Sequence, residues 1–110
     1  MHLTKEQMLA ADDLAVKAIE IPEWSGSVFI RQMSGLQQQR FELAQAQGDP
    51  LRSLVARMVL CDESGNLLYT DEDLPLLSAK SSAALDRIFA ASAKHPRMTP
   101  EVMAELKAQA

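Results

Sequence analysis

Cysteine is nearly absent from this chain: Cys61 is the only one in 110 residues. No internal disulfide can form, which fits a reducing compartment. Aromatics are scarce, with one Trp, one Tyr and three Phe, so an aliphatic core is expected, with methionine as adaptable filler. No apolar run approaches the roughly 20 residues of a membrane span. The opening residues, His2 to Leu9, lack the long apolar centre of a secretion signal. Basic clusters are missing too. The formal net charge is −4, a sign that opposes the phosphate backbone and disfavours nucleic-acid partners. A soluble cytoplasmic protein is expected, without membrane or nucleic-acid partners.

Catalytic and metal-binding patterns are also missing. His2 and His95 are far apart and neither has a metal-ligand spacing. His95 stands at an expected helix end, where an imidazole can meet free carbonyls. Cys61 follows an apolar stripe with no histidine nearby, so it reads as a small buried residue rather than a nucleophile. A calcium-loop frame with Gly65 sixth puts Asp62 third, Ser64 fifth and Asp71 twelfth. Its first position is then Leu60, which has no side-chain oxygen, and the frame fails. The acids Asp71 to Asp73 sit in the first turn of an expected helix, where they are favoured by the dipole alone. Gln37, Gln38 and Gln39 read as a solvated helix face. There is no phosphate loop, nucleophile elbow or zinc motif. Neither an enzyme nor a cofactor is expected.

What is present is ordinary globular material, 47% hydrophobic and 24% charged, enough for one domain over residues 1–110 with a thin core. Thr4 and Gln7 form a capping-box pattern, predicting a helix over 4–12. Val16, Ile19 and Ile21 alternate with polar residues and predict a strand from about Ala15 to Ile21. Pro22 ends it. "PEWSG" is a compact turn in which Gly26 is expected to take the unusual backbone angle, and "SVFIRQM" returns, giving a hairpin over 15–33. Ser34 and Gln37 repeat the capping box and open a helix over 34–47 that Gly48 stops. Leu51, Leu54, Val55, Met58 and Val59 fall on one stripe of a helix over 50–61, with Arg52, Ser53 and Arg57 away from it. Asp62 to Gly65 reads as a tight turn. "NLLY" is either a short extended piece or the approach to the next helix.

Thr70 caps a helix over 70–79, which Pro75 restricts to an early position or a broken turn. Ser81 or Ser82 caps a helix over 82–94 with Leu85, Ile88 and Phe89 on one face. Thr99 and Pro100 open a last helix over 99–108, with Val102, Met103 and Leu106 on its apolar edge. The expected class is α+β: mostly short helices packed around a small antiparallel hairpin.

Trp24, at the hairpin turn, admits two readings. It covers one end of the core, or it anchors a partner, as aromatics often do. Residue chemistry alone favours the first. The order of features is informative: "IEIPEWSGSVFIRQMSGLQQQRFELA", a long helix, then "LCDESGNLLYTDEDLPLLSAKSSAALDRIFAAS". From about Ala15 to Ser92 this resembles the tail assembly chaperones of long-tailed bacteriophages. The points of likeness are a strand into a Pro-Glu-Trp turn, the pair Ile30-Arg31, and the small capping residue Ser34. An Asp-x-x-Gly turn (Asp62, Gly65) then leads to an aromatic, and an acidic segment (Asp71 to Leu74) leads to a helix containing Leu85. Tyr69 stands where the family often has phenylalanine, and the helix from Thr99 has no clear counterpart.

The resemblance implies a non-enzymatic helper in virion morphogenesis. It would bind the tape measure protein, keep it soluble and help recruit major tail protein in the host cytoplasm, absent from the finished virion. Some members self-associate, and several are made in two lengths by frameshifting. Adaptable methionine-rich edges suit the cover of amphipathic helices. The candidate contacts are Trp24, Phe29, Met33 and Phe41 around the hairpin and following helix, and Met98, Val102, Met103 and Leu106 at the terminal helix. Core packing competes with this role at each. The alternative is a head–tail completion or connector subunit that stays in the virion.

Overall fold

The computed structural model describes residues 2–94, and local chemistry explains most of the elements. Helix α1 (Lys5–Ala10) opens on a reciprocal pair: Gln7 N–H donates to Thr4 Oγ1 at 3.2 Å, and Thr4 N–H donates to Gln7 Oε1 at 2.8 Å. It stops before the expected end at 12. Asp12 and Asp13 would place negative charge at the negative end of the helix dipole.

Strands β1 (Val16–Ile21) and β2 (Gly26–Arg31) pair antiparallel, Val16 opposite Arg31 and Ile21 opposite Gly26. Pro22–Trp24 makes one 3-10 turn between them. The left-handed residue is Ser25, with φ 54°, and not Gly26. The turn closes on Ser25 N–H to Pro22 C=O at 3.0 Å, so Gly26 is already the first residue of β2.

Helix α2 (Gly35–Gln47) has the capping box of Ser34 with Gln37, and Gly48 ends it at φ 75°, both as the sequence predicts. Helix α3 (Arg52–Val59) ends two residues before the expected 61. Leu60 and Cys61 become a strand, β3, paired antiparallel with Ile30 and Phe29. The hairpin is therefore a three-stranded sheet in the order β1-β2-β3. Leu67 bridges Cys61, so the extended alternative for "NLLY" is the one realised. The helix expected over 70–79 is broken, with a 3-10 turn at Asp71–Asp73 and then α4 (Leu74–Ser78). Pro75 supplies no N–H there and is tolerated only at the start of α4. Helix α5 (Ser82–Lys94) is capped by Ser81, whose Oγ accepts from Ala84 N–H at 3.4 Å. The helix expected over 99–108 lies outside the described residues.

The class is α+β, and α3 is its centre. Both α4 and α5 touch α3, and α5 also touches β1 and β2. Leu54, Val55, Ala56, Met58 and Val59 are all buried. Ser53, placed away from the stripe by periodicity, is buried too, because helices cover α3 on more than one side. Ile21 and Ile30 close the core from the inner face of the sheet, with Leu60 opposite Ile30. Each fully buried aliphatic side chain contributes about 1.5–3 kcal/mol.

Gly65 sits at φ +89°, and a Cβ there would lie 3.2 Å from Val16 Cγ2. Gly65→Ala is expected to destabilise the fold by roughly 1–3 kcal/mol through left-handed strain and this contact. A urea titration reads it as a lower midpoint at unchanged slope.

Candidate partner-binding surface

The hairpin turn is tied down rather than presented. Pro22 fixes the start of the 3-10 turn, and Glu23 reaches α5, accepting from Arg87 Nε at 2.7 Å. That bond holds the Glu23 carboxyl below its usual range. Trp24 is half-buried and packs on the core. Met33 and Phe41 do the same. Phe41 meets Phe89 with ring centroids 6.0 Å apart and planes tilted by 58°, a favourable aromatic geometry. Phe29 lies on the opposite, outer face of the sheet, between Ala18 of β1 and Cys61 of β3. Trp24, Met33 and Phe41 thus share the core side of the sheet, each only partly buried, while Phe29 stands apart from them. Met98, Val102, Met103 and Leu106 lie outside the described residues.

Two motifs of the sequence meet on the outer face of the sheet. The Asp62 carboxylate holds its own turn, Oδ1 accepting from Ser64 N–H and Asn66 N–H, each at 2.9 Å. These bonds, led by Asn66 N–H, lower the Asp62 carboxyl from its usual range. Arg31 Nη1 then donates to Gly65 C=O at 3.2 Å. Ile30 is wholly buried, so the Ile30-Arg31 pair fills the core with one residue and fastens the turn with the next. Cys61, beside this turn, is buried, and burial pushes its thiol up from the ordinary value.

A second fastening joins α2, α3 and the acidic segment. Asp71 Oδ1 accepts from Arg40 Nη1 at 2.9 Å and from Arg57 Nε at 2.8 Å. The Arg40 hydrogen bond, more than any other influence, depresses the Asp71 carboxyl. Asp71 is therefore a structural bridge between two arginines. Gln37 is likewise more than a solvated residue, for its Nε2 donates to Met58 C=O at 3.2 Å and satisfies a carbonyl at the end of α3.

Between α2 and α4 an apolar groove of about 480 Å³ remains open. Leu43 and Ala44 of α2, Leu54 of α3, and Leu74 and Pro75 of α4 line it. Arg40 and Asp49 also border it. Leu43 is 59% exposed and Leu36, two turns earlier on α2, is 78% exposed. The signal for this stripe was the seven-residue spacing of Leu36 and Leu43, masked by polar neighbours such as Gln38, Gln39 and Glu42. Among the described residues, no group of three metal-ligating side chains occurs and no helix is long and apolar enough to cross a membrane.

No family model matches the sequence, and no curated protein matches it. Among solved structures, the fold is similar to that of the bacteriophage HK97 tail assembly chaperone. The TM-score is 0.65 and the identity 18%, over 86% of this chain and 94% of that chain. At that identity the likeness is one of fold.

Trp24→Ala is expected to lower stability by roughly 2 kcal/mol, below the range for fully buried aromatics because Trp24 is only half-buried. Thermal unfolding followed by circular dichroism checks this. The depressed carboxyls set a pH dependence. Asp62 and Asp71 bind protons less readily folded than unfolded, so their stabilisation is complete above the ordinary carboxylate range, about pH 4. It is lost as pH falls through their lower folded values. Denaturant midpoints should fall below about pH 4, and Asp71→Asn should reduce that fall.

Proposed function

We propose that this chain is a tail assembly chaperone of a long-tailed phage or prophage. It binds the tape measure protein in the host cytoplasm, keeps it soluble and helps recruit major tail protein, without enzymatic chemistry. The observation that carries this reading is the similarity of fold to the HK97 tail assembly chaperone over most of both chains. The resemblance carried by the motifs from Ala15 to Ser92 points the same way. The open groove beside α2 adds a physical means. A long helical partner exposes amphipathic faces, and an apolar groove between helices accepts one of them.

Co-expression with the tape measure protein of the same genome tests the proposal. The partner is expected to shift from the insoluble to the soluble fraction and to co-purify with the tagged chain. A tape measure protein that stays insoluble and unbound would contradict the chaperone role. A stable ring of this chain recovered in purified virions would favour the connector subunit instead.

A further inference from the structure

Helix α2 has apolar residues on two faces. Phe41 and Ala44 pack toward the core. On another face, Leu36, Arg40, Leu43 and Gln47 recur at steps of four, three and four residues, the spacing of a coiled-coil seam. Arg40, Leu43 and Gln47 line the open groove, and helical periodicity puts Leu36 on the same side. Leu36 and Leu43 are both exposed. The Arg40 guanidinium is held by Asp71, and its methylene stem adds apolar surface to the seam. From Leu36 to Gln47 the seam is about 16 Å long at 1.5 Å per residue, room for about three turns of a facing helix.

One end of the seam is negative. Asp49 borders the groove just past the C-terminus of α2 and has no side-chain partner among the described residues. The last turn of α2 carries no basic residue, and its carbonyls add to the negative charge there. A small-molecule site would turn several polar groups on its occupant. Here the floor is Leu43, Ala44, Leu54 and Pro75, and the strip runs on to Leu36. We propose that this seam takes an amphipathic helix of a different protein, with apolar residues in steps of three and four and a lysine or arginine facing Asp49.

This inference deepens the chaperone reading and rests on it: the helix belongs to the tape measure protein. The apolar repeat supplies the attraction, and the cation at Asp49 fixes register and direction along α2. Three turns of helix bury less than a standard interface, so a single contact is weak.

Co-expression of the full chain and its variants with the tape measure protein of the same genome tests it. Leu43→Asp should cut the co-purified partner about tenfold. Leu68→Asp, at an exposed leucine that does not line the groove, should leave it at the parent level. Both leucines are exposed, so both variants should keep the parent circular dichroism spectrum. A photo-reactive benzoylphenylalanine in place of Gln47 locates the facing segment by mass spectrometry, and that segment should carry the apolar repeat. Asp49→Lys should cut the yield about tenfold, and glutamate in place of the facing basic residue of the partner should restore it. The proposal is overturned if Leu43→Asp binds as well as the parent, if the captured segment lacks the repeat or comes from a second copy of this chain, or if the charge exchange restores nothing. The chaperone reading survives each of these results while the parent chain still keeps the tape measure protein soluble. A parent chain that neither binds nor solubilises it overturns both.

Discussion

Apart from α1, the described fold is arranged around a helix that has almost no solvent face. Six of the eight residues of α3 are buried, Ser53 through Ala56 with Met58 and Val59. A helix covered on that scale cannot stand at the edge of a domain. It needs α4 and α5 beside it, and the core it anchors is closed by Ile21 and Ile30 from the sheet. The chain then leaves α3 directly into β3, with no intervening loop. The helix end and the sheet register are thereby coupled: a shift of α3 would pull Leu60 out of line with Ile30.

That arrangement explains what the distinctive sequence motifs do. Glu23 ties the hairpin turn to α5 through Arg87. Arg31 ties the second strand to the Asp62–Gly65 turn. Asp71 ties the acidic segment to Arg40 on α2 and Arg57 on α3. These residues join elements distant in sequence, and all are polar or charged groups on the surface of an aliphatic core. Trp24 packs on the core while only half-buried, and exposed large apolar side chains stand at Leu43, Leu68, Leu76 and along α1.

Local signals were legible in the sequence and long-range ones were not. The capping boxes of Thr4 and Ser34, the stop at Gly48 and the break at Pro75 depend on residues within a few positions, and each was readable. The third strand was not, because "VLC" runs on from the apolar stripe of α3 with no break residue, and only pairing with distant β2 makes it extended. The hairpin register was hidden because both faces of "SVFIRQM" carry apolar residues. Burial of Ile30 decides it. Ser53 misled because periodicity assumes one solvent face. The open groove was invisible because its walls come from α2, α3 and α4, and no local pattern reports how far apart helices settle.

Native-state hydrogen exchange on the free chain tests the central claim, that the structure is built inward onto α3 while α1 stands outside. Amides of α3, with those of Ile30 and Leu60, should exchange only through global unfolding, and amides of α1 at close to their unprotected rates. Exchange of α3 by a local opening well below the global free energy, or protection of α1 matching that of α3 in the monomer, would contradict it.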